Sequence, residues 1–168
     1  MVKSLALTEE SVMELLELIP DPDIPVVSIV ELGIVRGVAV DDSNKVVVTI
    51  TPTYSGCPAM TVFKEDIKEL LLKNGAEDVE IKITHSPSWS TDWLSESTRE
   101  KLRAYGIAPP ESNSSDSVPL FSSSKQKIKC PHCGNTNSRL TSQFGSTPCK
   151  SLWYCDDCLQ PFEYFKCY

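Results

Sequence analysis

Two tight cysteine pairs, Cys130-Pro-His-Cys133 and Cys155-Asp-Asp-Cys158, carry the clearest chemistry in this chain. A C-x2-C repeated within one short segment is the spacing of a four-thiolate metal site. The two-residue gap lets both sulfurs of a pair turn toward one ion. Gly134, directly after the first pair, supplies the positive φ that such a knuckle often needs. The 21 residues between the pairs are a hairpin's worth of chain. Zinc is the expected occupant, because ribbons of this layout commonly hold structural zinc. The same thiolates can also hold an iron–sulfur cluster. His132 reads as a bystander inside the first knuckle. Cys149 and Cys167 read as thiols outside the ligand set, with Cys149 the possible extra thiol. The segment 127–168 is too short to fold on an apolar core alone, so a bound metal would supply its stability.

Cys57 stands apart, in Ser55-Gly56-Cys57-Pro58. Proline is favoured in a first helical turn, which places Cys57 close to a helix N-cap. Free N–H groups and the helix dipole stabilise a thiolate in such a place, giving a nucleophile or a metal ligand. The competing reading is a small buried apolar residue. His85 follows the next strand; the loops after both strands of a βαβ unit share one end of the sheet, so the two side chains could be neighbours. A lone histidine there is more often structural. Asp21-Pro22-Asp23-Ile24-Pro25 either offers carboxylates or terminates the first helix, and termination is the favoured reading on local sequence. The 85–93 loop carries Trp89 and Trp93, as caps on the core or as a partner surface.

These residues need elements to position them. Val12, Leu15, Leu16 and Ile19 recur at helical spacing behind Thr8 as cap. Ile34–Val40 and Val46–Thr51 flank an Asp41-Asp42-Ser43-Asn44 turn and read as a hairpin. Ala59, Val62, Phe63, Ile67, Leu70 and Leu71 form one helical face that Asn74-Gly75 ends. Val79, Ile81 and Ile83 alternate as a strand, and a short helix runs from Ser95 to about Ala104. The fold class is α+β: a small mixed sheet in the order α-β-β-α-β-α, followed by a C-terminal zinc-ribbon module. The expected divisions are a domain over 1–110, a serine-rich linker over 111–126 and the four-cysteine module over 127–168.

The net charge of −7 is uneven. Residues 1–111 carry 10 basic and 19 acidic groups, and residues 127–168 carry 5 and 3. An acidic main domain is a poor nucleic-acid binder, because that binding rests on phosphate neutralisation. Seven cysteines is an odd number, and five of them follow Cys130 in or close to metal-like spacing, which fits a reducing compartment better than a disulfide scaffold. No secretory signal and no apolar run near the ~20 residues of a membrane span is visible, which points to the cytoplasm.

The turn at 21–25, Ser28-Ile29-Val30-Glu31-Leu32-Gly33-Ile34-Val35, the stretch TPTYSGCPAM at 51–60 and the 87–93 loop together resemble the SufT/PaaD-like iron–sulfur assembly family. Residues 143–150 between the cysteine pairs and 161–166 after them resemble its PaaD branch. The resemblance implies an accessory factor with no independent activity. Its role would be maturing iron–sulfur or other iron centres of a multicomponent monooxygenase (epoxidase) acting on phenylacetyl-CoA in phenylacetate catabolism. It implies Cys57 as the reactive residue and transient iron or cluster ligand, with Asp23, often Glu in the family, and His85 as neighbours. It also makes Cys149 part of a recognisable motif. Implied partners are oxygenase or reductase subunits or iron–sulfur assembly proteins; a homo-oligomer stays open. Two other readings compete: a thiol-dependent enzyme using Cys57 with His85 as base, and a zinc-ribbon adaptor.

Overall fold

Helix α1 (Glu9–Leu16) starts where its cap dictates. Thr8 Oγ1 accepts from the Ser11 N–H and Ser11 Oγ accepts from the Thr8 N–H, a reciprocal pair that satisfies two otherwise free donors. Strands β1 (Val35–Val40) and β2 (Lys45–Ile50) form the expected hairpin. Its turn is organised by Asp41, whose Oδ1 accepts from the N–H groups of Ser43 and Lys45. Helix α2 (Ala59–Lys73) crosses over to β3 (Asp78–Ile83), which lies parallel to β2. The sheet order is β1-β2-β3.

Register sorts the faces. Val46 stands opposite Val40 and Val79, and Val48 opposite Val38 and Ile81. Those residues form the core face together with Ile50. The helices supply Val12, Leu16, Phe63, Ile67 and Leu71, all fully or nearly fully buried. The opposite face carries Lys45 with Asp78 and Glu80, and Lys82 with Glu80, all solvent-exposed ion pairs of little net worth. Trp89 is buried, and its indole N–H donates to the Leu32 carbonyl at 2.8 Å. The core reading of that tryptophan therefore holds.

The structure is a computed structural model that describes residues 7–110 and 128–166. The serine-rich linker expected at 111–126 lies outside the described residues, as does Cys167. The chain separates into Met1–Trp89 and Ser90–Tyr168. A 3-10 turn (Thr91–Trp93), α3 (Glu96–Ala104) and β4 (Ile107–Ala108) go with the ribbon, because β4 pairs in parallel with its last strand. The ribbon strands are β5 (Ser138–Ser142), β6 (Lys150–Cys155) and β7 (Pro161–Phe165), in the order β4-β7-β6-β5. No described helix is long and apolar enough to cross a membrane.

One end of the ribbon is held by charge. Lys150 is almost fully buried, and its ammonium meets Glu163 Oε2 at 2.8 Å. Glu163 Oε1 also accepts from the Ser146 N–H. A Cβ at Gly145 would lie 2.5 Å from that same oxygen, so a larger residue there would have to push the carboxylate off its partners. Burial pushes the Glu163 carboxyl up, but Lys150 and the Ser146 amide outweigh it and hold it below the usual carboxylate range. A depressed carboxyl contributes stability that is present above its ordinary pKa and lost as pH falls through the folded value. Chemical unfolding of the second unit should therefore show stability weakening progressively below about pH 4.5. Lys150→Met should remove that acid sensitivity and cost about 3 kcal/mol at neutral pH, because Glu163 is left partly buried without its cation.

Candidate functional site

The sheet register brings three chain connections to one end of the first unit. Val35 at the start of β1 faces Ile50 at the end of β2, and Ile50 pairs with Ile83 at the end of β3. The 20–34 segment, the 51–58 loop and the loop beginning at Thr84 thus gather there. The Thr51 N–H donates to the Ile34 carbonyl at 2.8 Å and the Thr84 N–H to the Ile50 carbonyl at 2.9 Å, which ties the three together.

Within the 20–34 segment, Asp21 is buried and its Oδ1 accepts from the N–H groups of both Asp23 and Ile24 at 2.8 Å. Asp21 is therefore committed to shaping the turn, an Asx-type use of the side chain. Asp23 is exposed. Glu31 and Ser28 brace the next turn, each accepting from the other's backbone N–H. Gly33 then takes φ +68, which turns the chain into β1.

Cys57 is half-buried at the mouth of α2. Pro58 is the N-cap, so Cys57 sits one residue outside it. Its N–H donates to the Tyr54 carbonyl and its carbonyl accepts from the Met60 N–H, both at 3.3 Å. Gly56 makes the reversal at φ +84. No side chain caps this helix. His85 is exposed two residues after β3, and among the described residues no hydrogen bond joins it to Cys57.

Thr51 is a residue the sequence does not single out. It is 1% exposed, and its Oγ1 is the one buried side-chain polar atom among the described residues with no hydrogen-bond partner. An orphaned hydroxyl costs about 1–3 kcal/mol. It lies at the same end of the sheet as Cys57. A threonine directly after a β-rich run carries no local signal of this kind.

The second centre is the cysteine quartet. The sulfurs of Cys130, Cys133, Cys155 and Cys158 all lie within 4.8 Å of one another. Across the pairs, Cys130 and Cys158 are 3.7 Å apart, and Cys133 and Cys155 3.6 Å. A tetrahedral ion with metal–sulfur bonds of about 2.3 Å has sulfur–sulfur edges of roughly 3.8 Å. The donor set fits a single ion.

Backbone amides finish the site. The N–H groups of Cys158 and Asp157 aim at the Cys155 sulfur and hold its thiol down at about 7. Burial pushes the Cys158 thiol up to about 12. The Asn135 amide favours the Cys133 thiolate, but burial and the crowded Cys155 sulfur leave that thiol raised. Four thiolates this close repel one another, and a cation resolves the repulsion. Cys149 stands at the opposite end of β6 from Cys155, roughly 20 Å away at 3.3 Å per residue. It is buried, and its sulfur lies 3.0 Å from Thr147 Oγ1. It is no part of the quartet.

Comparison with known proteins matches this organisation. Residues 9–83 match the family model described as iron–sulfur cluster assembly protein, and residues 114–166 match the PaaD zinc beta ribbon domain. The chain is 43% identical over 153 residues to a putative 1,2-phenylacetyl-CoA epoxidase subunit of Escherichia coli (strain K12), covering 91% of this chain and 89% of that one. It is 34% identical to an Fe-S protein maturation auxiliary factor of Porphyromonas gingivalis (strain ATCC BAA-308 / W83), over 56% of this chain and 90% of that protein. Among solved structures, a domain of unknown function, DUF59, from Bacillus anthracis superposes with a TM-score of 0.53 at 32% identity, over 56% of this chain and 90% of that one. An assembly-type α+β unit followed by a four-cysteine ribbon, matched along nine-tenths of its length, makes this chain a member of the PaaD branch of the SufT/PaaD-like iron–sulfur assembly family.

Proposed function

We propose that this chain is an accessory factor, without a reaction of its own, in maturing the iron–sulfur or iron centres of a multicomponent phenylacetyl-CoA monooxygenase. The observation that carries the reading is the near full-length match to the Escherichia coli epoxidase protein, alongside matches to both family modules. Its partners are then oxygenase or reductase subunits, or other iron–sulfur assembly proteins. The first unit is the working end. Cys57 ligates iron or a cluster as cargo, and Asp23 and His85 are the neighbours able to add a carboxylate or an imidazole. Three features support this: the half-buried thiol, the uncapped helix terminus beside it and the orphaned Thr51 hydroxyl at the same end of the sheet. Single-thiol ligation suits cargo that must leave again.

The ribbon holds zinc in this reading and presents a surface to the partner. The sulfur spacing supports one ion over a cluster, which would interpose several irons and sulfides and spread the thiolates. Structural zinc in finger peptides contributes about 10–16 kcal/mol at neutral pH, enough to fold a module of this size.

Two outcomes test the reading. Cys57→Ser should leave the chain folded and its zinc intact, while the partner oxidoreductase co-produced with it carries less than half its usual iron by elemental analysis. Unchanged partner iron would remove Cys57 from the function. Cys155→Ser should lose the zinc, and zinc uptake by the parent chain should release protons. The sign follows from the thiols: protonation competes with the metal, so affinity falls as pH is lowered. Competition titrations between pH 8 and pH 5.5 should show this, and a pH-independent affinity would argue against thiolate ligation.

A further inference from the structure

The two family models cover residues 9–83 and 114–166, and neither reaches the stretch between them. In the structure much of that stretch belongs to the metal unit. β4 pairs with β7 through Ile107–Glu163 and Ala108–Tyr164. Ala108 is buried in the same cluster as Cys130, Trp153 and Cys155. Just before β4, Gly106 takes φ +92, and a Cβ there would lie 3.5 Å from His132 Cε1, inside the first knuckle. The chain thus runs against the ligand set on the Cys130 side.

A two-residue parallel strand cannot hold itself in place, being shorter than ordinary strands. Arg99 does the holding. It is 3% exposed, and its guanidinium donates to three carbonyls: Leu94 at 3.3 Å, Thr91 at 2.8 Å and Pro110. Thr91 and Leu94 precede α3 and Pro110 follows β4, so one side chain clamps both ends of the segment. A guanidinium does this well because its donors form a rigid planar fork and its charge is permanent.

We infer that residues 90–110 are a strap that closes the four-cysteine site, with Arg99 as its positioning residue, so that the ribbon metal is retained and is not cargo. A competing chelator or acceptor protein strips a metal by replacing ligands in turn. Of the four ligands only Cys133 is exposed, while Cys130 and Cys155 are buried. Lifting β4 from β7 uncovers the cluster that contains Cys130. The strap acts at the ribbon whatever the role of Cys57.

The test uses the full chain loaded with one equivalent of zinc and challenged with excess chromogenic chelator. Arg99→Ala should start with one bound zinc and lose it at least tenfold faster than the parent. Arg99→Lys should not rescue the rate, because one ammonium cannot span three carbonyls in fixed geometry. With cobalt in place of zinc, both variants should keep the absorption of a tetrahedral thiolate site, which separates a lost strap from a lost ligand. Leu140→Ala, on the outer strand β5, should lose zinc at the parental rate. A release rate for Arg99→Ala within twofold of the parent overturns the strap. The unaltered chain gives a second reading should Arg99→Ala not fold. In urea below the unfolding transition, hydrogen exchange at Ala108, the β4 amide that faces β7, should accelerate together with zinc loss. Zinc loss that accelerates while that amide stays protected also overturns it.

Discussion

The parallel alignment of β2 with β3 is the constraint on which the first unit depends. Parallel neighbours cannot be joined by a tight turn, so the chain must leave the end of β2, cross over as α2 and return to the starting end. The exit from β2 is therefore a loop followed by a helix N-terminus, and that is where Cys57 sits. β1, antiparallel to β2, brings the Asp21–Gly33 segment to the same end. The two ends of the sheet then differ in chemistry. At the far end the hairpin turn is internally satisfied: Asp41 accepts from Ser43 and Lys45, the Asn44 carbonyl accepts from the Glu77 N–H, and Asn44 Oδ1 accepts from the Leu7 N–H. At the near end Thr51 keeps an orphaned hydroxyl, and Asp23 and His85 are exposed.

β6 plays the corresponding part in the second unit. It is flanked on both sides, by β5 and β7, and its termini carry different fastenings. Cys155 ends the strand in the metal quartet, while Lys150 begins it in a buried ion pair with Glu163. Between them Trp153 packs edge-on against Tyr164 with ring centroids 6.3 Å apart. The loop before β6 is set by the ion pair: Ser146 donates to Glu163, and Gly145 leaves room for that carboxylate. The charged end thus organises the 143–150 stretch that contains Cys149. Phe144 is 63% exposed, with the Lys166 ammonium 4.6 Å from its ring centre.

What was legible in the sequence is what local chemistry dictates. The C-x2-C pairs announce themselves because two ligands of one ion must come from one tight turn. The Thr8 cap, the Asp41 turn and the apolar face of α2 are likewise local. What was not legible depends on distant partners. β4 is two residues long, with no periodicity of its own, and exists only because β7 lies beside it. α3 buries Thr98, Arg99 and Leu102, a face too polar to read as an attachment to any core. The nearness of Cys149 to the pairs along the sequence is undone by the extended backbone of β6. In the turn at 21–25, two aspartates look interchangeable in sequence, and only the folded backbone shows that Asp21 is used internally while Asp23 is exposed.

The chain therefore holds two thiol sites of opposite character. In the ribbon, four sulfurs are already spaced for one ion, backbone amides point at them, and all but Cys133 are at least partly covered. Such a site gains its affinity from preorganisation, and covered ligands exchange slowly. At Cys57 one half-buried thiol stands at a helix terminus with no completed ligand set of its own among the described residues. A metal or cluster held there must take its remaining ligands from solvent, from neighbouring carboxylate or imidazole, or from a second protein. Ligands shared with a second protein are what a transfer step requires, since the cargo can pass by exchanging one bond at a time. On the proposed reading, retention at one site and release at the other would follow from how many ligands each site supplies by itself.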